Sequence, residues 1–438
     1  MDRRQFSKTL ASALVAAVPV APFVALGRHR ARTLTLNGAR LNRHLKELSA
    51  FGANPKGGVS RVAYSDADRA GRAFVMDRMR AAGLDPRVDF AGNIVGRRAG
   101  TNSALRPIVF GSHIDSVPDG GNYDGTVGSL SAIEVAQTLQ ETNVRTRHPI
   151  EVVVWANEEG GLYGSRAVSG QLAMPQLANR AWSGKTIEDG VAFLGGQPAR
   201  IAEVRRQQGD IATYLELHIE QGGNLEREGL NIGVVEGIVG IRRWDVTVTG
   251  VQNHAGTTPM DQRQDALVST ARFVDMVNRV VRGTPGRQVG TVGRIEAFPG
   301  APNVIPGRVL ATLELRDLDS AKIQRVFEAI ETEAKRIGEA TGTTFDFQGR
   351  HADIPALSDP AVREMIGDVA KGLGYSTRVM PSGAGHDAQA MAQLGPMGMI
   401  FIPSIGGISH SPKEFSTAED IERGARVLMG AVLQADRR

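Results

Sequence analysis

Gly111-Ser-His-Ile-Asp-Ser-Val-Pro-Asp-Gly-Gly-Asn-Tyr-Asp124-Gly, followed by Ala156-Asn-Glu158-Glu159-Gly160, is the stretch that decides how this chain folds. Each segment follows a short apolar run, Pro107-Ile-Val-Phe110 in one case and Ile150-Glu-Val-Val-Val-Trp155 in the other. Such runs read as buried strands. A strand that ends in charge and glycine delivers side chains to the lip of a sheet, where open α/β sheets bind ligands. His113, Asp115, Asp119, Asp124, Glu158 and Glu159 gather at these two strand ends. Carboxylates crowded in this way repel one another unless a cation neutralises them. A His among carboxylates, in a chain without Cys, suits Zn, Mn, Co or Ni. Taken singly, Asp119-Gly-Gly-Asn is a good turn sequence, and Asp115 or Asp119 is a fit helix cap. The whole cluster is what points to a metal.

The chain has 438 residues, too long for one ordinary core, so two domains are expected. Hydrophobic content of 41% and charged content of 22% are those of a globular enzyme. The net charge of +4 is small, and no basic block is interleaved with aromatics, so nucleic-acid binding is not expected. The absence of Cys excludes disulfides and thiolate metal sites and suits an oxidising compartment.

Asp2-Arg3-Arg4-Gln5-Phe6-Ser7-Lys8 resembles a twin-arginine export signal, and an Ala/Val-rich stretch from Thr9 to Leu26 follows it. Pro19 and Pro22 interrupt that stretch and argue against a stable membrane span. Ala25-Leu26-Gly27 is a weak small-residue cleavage site. The expectation is a signal peptide over residues 1–27 and a periplasmic mature protein from Arg28. An uncleaved membrane anchor or a fortuitous basic start is the alternative.

Helices are expected over Leu41–Leu48 and Asp66–Ala82, then alternating strands and helices to about Val235, which implies a largely parallel sheet. Asn231 to Ile241 carries Gly233, Gly237 and Gly240, which suit a hinge. A second unit follows, with a strand at Trp244–Gly250, a helix at Ala266–Arg282, strands at Gln288–Ala297 and Val309–Leu315, a helix at Ser320–Thr341 and a strand at Thr343–Gln348. This order is ferredoxin-like. After it, α/β character returns with a helix at Pro360–Leu373 and a strand at Met397–Pro403. The chain thus reads as an α/β catalytic domain, 28–236 and 351–438, with an inserted α+β domain at 237–350.

Five of the nine His lie in segments rich in Gly, Ser or acids: His113, His218, His254, His386 and His410. Together with Asn-Glu-Glu-Gly, Leu-His218-Ile-Glu-Gln-Gly, Asn253-His-Ala-Gly-Thr-Thr-Pro-Met260, Asn303-Val-Ile-Pro-Gly, Leu-Arg316-Asp, Ser-Gly-Ala-Gly-His-Asp and Ser409-His-Ser-Pro, these motifs resemble the M20 metallohydrolases. Within that family they are similar to the hydantoinase/carbamoylase branch, which includes N-carbamoyl-L-amino acid hydrolases and allantoate and ureidoglycolate amidohydrolases. The resemblance covers nearly all of the chain after about residue 38.

It implies a di-metal-peptidase-like catalytic domain with two divalent ions, Zn or else Mn, Co or Ni. His113, Asp124 and His218 would hold one ion, and Asp124 would bridge to a second completed by Glu159 and His410. Glu158 would be the general base, and Asp115 would orient His113 through its other ring nitrogen. The inserted domain would be a lid and dimerisation domain, hinged at the 233–240 glycines and Gly349. Its His254 would reach the active site of the other subunit of a homodimer. Arg316, Asn303, Gln221, His254 and Gly385 would meet the substrate, with Arg316 on its carboxylate; an ordinary ion pair to Asp317 or Asp319 is the alternative for that arginine. His386 suits a structural or a catalytic role equally. The implied reaction is hydrolysis of a linear ureido or N-carbamoyl carboxylate. Rivals are allantoate or ureidoglycolate hydrolysis, an M20 aminoacylase or exopeptidase, and a solute-binding protein without turnover. One departure stands out. Glu158-Glu-Gly-Gly-Leu-Tyr-Gly-Ser-Arg-Ala167 is shorter than in relatives, which usually carry an Arg-Phe pair there.

Overall fold

The computed structural model describes residues 34–438, so the expected signal segment 1–27 lies outside the described residues. Two sheets organise the rest. The first has four parallel strands at its centre, in the order Ile150–Trp155, Ile108–His113, Thr213–Ile219, Met397–Ile402. Its margins are antiparallel: Ile94–Arg98 and Asp85–Val88 on one side, Ile232–Ile238 on the other. Thr377–Ser382 extends the sheet parallel to that last strand.

The central strands are buried on both faces. Ile108 and Phe110 pack into one core beneath the helices Gly38–Ser49, Thr126–Glu141 and Ala418–Ala435, while Val109 packs into a second core with Val153, Tyr214 and Met397. That double burial is why these strands read as unbroken apolar runs rather than alternating ones. The helix Thr126–Glu141 lies against the sheet so closely that a Cβ on Gly128 would fall 2.1 Å from the Leu217 carbonyl oxygen.

The second sheet has the order Ile295–Phe298, Arg308–Asp317, Gly240–Thr249, Thr344–Asp353, all antiparallel. Helices Ala266–Gly283 and Ser320–Thr341 cover it. The strand–helix–strand–strand–helix–strand order is the ferredoxin-like one expected. Trp244, Val246 and Val248 face its core in the predicted alternation.

Three expectations need correction. The segment 231–241, expected as a glycine-rich hinge, is almost entirely strand. Ile232–Ile238 is a strand of the first sheet and Gly240–Thr249 a strand of the second, with only Val239 between. Its glycines make room for neighbours: a Cβ on Gly233 would meet Met380 Sδ at 2.8 Å and Phe401 Cβ at 2.9 Å. Gly349 likewise sits inside a strand, where the register shifts between Gly349 and residue 351. The second sheet runs from Gly240 to Asp353, beside the 237–350 expected for the inserted domain. Finally, the strand expected over 288–297 is two pieces, Val289–Thr291 and Ile295–Phe298, which both pair with Arg308–Asp317. Among the described residues no helix is long and apolar enough to cross a membrane.

Candidate active site

The carboxyl ends of the central strands converge on Asp124. His113 ends one strand and His218 lies near the end of the next; both are buried. Their Nε2 atoms stand 3.4 and 3.1 Å from Asp124 Oδ1. On the other side, His410 Nε2 stands 3.2 Å from Asp124 Oδ2 and 3.5 Å from Glu159 Oε2. Ligand atoms of His113, Asp124 and His218 lie within 4.8 Å of one another, and so do those of Asp124, Glu159 and His410. Asp124 is thus common to two donor groups, one on each of its oxygens. All five ligands expected from the sequence come together.

Local backbone explains how. Gly125 starts the helix Thr126–Glu141 at φ 64°, and a Cβ there would sit 2.3 Å from His113 Nε2, filling the space the imidazoles face. After the strand Ile150–Trp155 the chain turns at Asn157, φ 54°, so that the neighbours Glu158 and Glu159 both serve one site. Glu158 Oε2 approaches His113 Nε2 at 3.5 Å.

The electrostatics suit a cation. Burial pushes the Glu158 carboxyl well above its usual value, with Asp387, Glu159 and Asp124 adding to the effect. Glu159 is raised to about 8 by burial and then by Asp124. Burial lowers the His113 imidazolium, but Glu158, Asp124 and Asp115 outweigh it and hold the pKa well above the ordinary range. The Asp124 hydrogen bond lifts His410 to about 9. A divalent ion would offset the charge that this crowding concentrates. The donor set, imidazole and carboxylate without thiolate, is that of a borderline metal. A third group, Glu216, His218 and His386, is different. There the Glu216 oxygens accept from Ser112 Oγ, Tyr214 OH and Ala388 N, and His386 Nε2 is 2.8 Å from Ser382 Oγ. His386 packs edge-on against His218 with ring centroids 4.4 Å apart and also lines the cleft beside Asp124, a position compatible with either of its two expected roles.

A cleft of about 450 Å³ opens on Asp124, Glu158, Glu159 and His410, with Arg316 and Gly385 in its wall. Arg316 comes from the second sheet. It bonds Glu314 at 2.7 Å and the Gly383 carbonyl at 2.6 Å, while Asp317 pairs with Lys322 and Asp319 with Arg325. It therefore spans the cleft between the two sheets instead of making the ion pair considered from sequence.

Other assignments change. Asp115 reaches His113 Nδ1 through its backbone carbonyl at 3.0 Å; its carboxylate is 3.8 Å away and instead accepts from the Glu158 and Glu159 backbone N–H groups. So its side chain orients the Glu-Glu turn. Gln221 donates to Asp124 Oδ2 at 2.7 Å, which ties it to the central carboxylate although it also lines the cleft. His254 and Asn303 stay outside the cleft. His254 lies in a two-stranded ribbon, Asn253–His254 with Val304–Ile305, and Asn303 directly precedes its second strand; both residues are exposed. His254 Nδ1 accepts from the Gly256 and Thr257 N–H groups, which leaves Nε2 as the donor. Glu414 was missed. Its buried carboxylate accepts from the Tyr123, Asp124 and His410 N–H groups. In Ser-Pro-Lys-Glu-Phe it looks like an ordinary surface charge, and only its spacing of four from His410 could have drawn attention.

A family model described as peptidase family M20/M25/M40 matches residues 109–434. The chain is 40% identical over 404 residues to an N-carbamoyl-L-amino acid amidohydrolase of Geobacillus stearothermophilus, covering 91% of this chain and 98% of the relative. It is 36% identical over 391 residues to the allantoate amidohydrolase of Escherichia coli (strain K12), covering 87% and 94%. Among solved structures, an amidase of the hydantoinase/carbamoylase family from Burkholderia multivorans matches with a TM-score of 0.86 at 38% identity, over 92% of this chain and 99% of that one. Motifs, fold and site geometry agree with these likenesses, and the chain belongs to peptidase family M20/M25/M40, alongside its hydantoinase/carbamoylase amidases.

Proposed function

We propose that the protein is a two-metal amidohydrolase that converts an N-carbamoyl-L-amino acid to the amino acid, carbon dioxide and ammonia. The observation that carries this is Asp124, one carboxylate shared by two donor groups, with Glu158 buried beside them. Relatives named for N-carbamoyl-L-amino acid and allantoate hydrolysis support the ureido class of substrate.

His113, Asp124 and His218 would hold one ion, and Asp124, Glu159 and His410 the other. Such an ion supplies Lewis acidity and eases the ionisation of water. Glu158 takes the water's proton as oxygen adds to the ureido carbon, then returns it to the departing nitrogen. Its burial favours the protonated form it must hold between those steps. Asp115 fixes Glu158 and Glu159 through their backbone N–H groups. Arg316 receives the substrate carboxylate when that group displaces the Gly383 carbonyl, a two-pronged pairing that a guanidinium suits. Gly385 and Gln221 line the same space. His254, through Nε2–H, and Asn303 would complete the site from the other subunit of a homodimer, donating to the developing oxyanion. The twin-arginine-like start supports export to the periplasm in folded form.

Arg166 and Arg243 also line the cleft. They favour a second reading, a substrate with a further polar ureido arm such as allantoate. Ammonia release from N-carbamoyl-L-amino acids, allantoate and ureidoglycolate, with Mn- or Zn-loaded protein, decides between the readings. Silence across that panel, with turnover of N-acyl amino acids or dipeptides, would refute both.

A further inference from the structure

Glu414 occupies a place that the chemistry above does not use. It is 4% exposed and sits in the loop that follows the strand Met397–Ile402. Its two oxygens divide their work. Oε1 accepts from the Tyr123 and Asp124 backbone N–H groups at 2.9 and 3.0 Å. Oε2 accepts from the His410 N–H at 3.2 Å and from Ser409 Oγ at 3.0 Å. Ser409 Oγ also lies 3.1 Å from Asp124 Oδ2. One side chain therefore clasps two loops that are 290 positions apart in sequence. One loop carries the carboxylate common to both donor groups, and the other carries the most exposed of the candidate ligands.

Two further observations show that the clasp is built in. A Cβ on Gly121 would lie 2.3 Å from Glu414 Oε1, so the bare backbone of Asp119-Gly-Gly-Asn is what admits the carboxylate. His410 holds a left-handed backbone, φ 53°, which a non-glycine residue adopts only when its surroundings impose it. The bond from its N–H to Glu414 is part of that imposition.

We propose that Glu414 is a positioning residue that couples the two ion sites: it sets Asp124 and His410 relative to each other so that both ions bind as a pair. The proposal rests on the two-ion reading above. Neutral glutamine at this position offers one acceptor oxygen in place of two and turns an NH2 group toward N–H donors. Partners of this kind behind metal ligands are worth about 10–100-fold in metal affinity.

The test is Mn²⁺ binding by the whole protein, read by calorimetry and by electron paramagnetic resonance. Wild type is expected to bind two Mn²⁺ and to give the spectrum of an exchange-coupled pair. Glu414→Gln is expected to lose 10-fold or more in affinity and to show isolated Mn²⁺, with Glu414→Asp closer to wild type. Gly121→Ala, which crowds the carboxylate without removing it, is expected to act in the same direction. That variant carries the test if Glu414→Gln does not fold. A lowered melting temperature of the metal-free variants, with both affinities within twofold of wild type and a coupled spectrum, would make Glu414 merely structural and overturn the inference. Wild type that binds a single ion would overturn the two-ion reading itself, and the inference with it.

Discussion

Glu158→Gln separates proton transfer from everything else the site does. The change keeps shape and volume and removes only the charge and the ability to take a proton. Neither donor group includes Glu158, and its backbone N–H bond to Asp115 does not depend on its side chain. Ion content and KM should therefore change little. A positioned general base contributes about 10²–10⁴ in rate, or roughly 3–5 kcal/mol at 1.36 kcal/mol per decade. The structure argues for the upper half of that range. Glu159 is engaged with His410, Asp124 with three imidazoles, and the Asp115 carboxylate with two backbone N–H groups, so no neighbour is free to substitute. Stability should move the other way. A carboxyl whose folded pKa is raised holds its proton longer in the native state than in the unfolded one. Metal-free stability then falls as pH rises from the ordinary carboxyl value through the raised one. Glutamine abolishes that loss, so at alkaline pH the metal-free variant should melt above wild type. The assays are steady-state ammonia release and thermal melting after metal removal. A kcat within tenfold of wild type would refute the role given to Glu158, and so would a large rise in KM at unchanged kcat.

Other outcomes follow from the same geometry. His410, raised to about 9 by Asp124, must give up its proton to take an ion, so Mn²⁺ affinity should climb as pH rises from 7 through about 9. A pH-independent affinity over that range would contradict the ligand assignment. Gly128→Ala places a Cβ 2.1 Å from the Leu217 carbonyl and 2.8 Å from Ser112 Cβ, and should cost about 1–3 kcal/mol in thermal unfolding while pushing apart the strands that carry His113 and His218. An unshifted melting curve would mean the helix moves freely there. Replacing Arg3 and Arg4 by Lys should retain the protein in the cytoplasm, as cell fractionation would reveal, and unchanged export would reject the twin-arginine reading.

Much of the fold was legible because burial leaves a pattern. Strands covered on both faces read as apolar runs, and Trp244, Val246 and Val248 alternate as a sheet covered by helices on one face should. The candidate metal cluster was legible for a related reason. Acid and imidazole at buried strand ends have no structural excuse, and His113, Asp124, Glu159, His218 and His410 do meet. What escaped was everything that depends on approach rather than on residue type. Gly233, Gly237 and Gly240 signal freedom in sequence, yet they sit in strands as spaces for Met380, Phe401 and Pro355. Asp115 was assigned to the right neighbourhood, but the sequence could not tell its carbonyl from its carboxylate. Gln221 lines the cleft as expected, but its bond to Asp124 carries no mark in the sequence. Glu414 gave no warning, because a glutamate after Pro-Lys is indistinguishable from a solvated one until the fold brings Asp124 to it.

The central claim is that two ions on one shared carboxylate run the reaction. The direct measurement is ammonia release from the preferred ureido substrate while metal-free protein is titrated with Mn²⁺. Rate should stay near the background until the second equivalent per chain is bound and then rise to saturation. Full turnover by verified metal-free protein, or saturation at a single equivalent, would contradict the account.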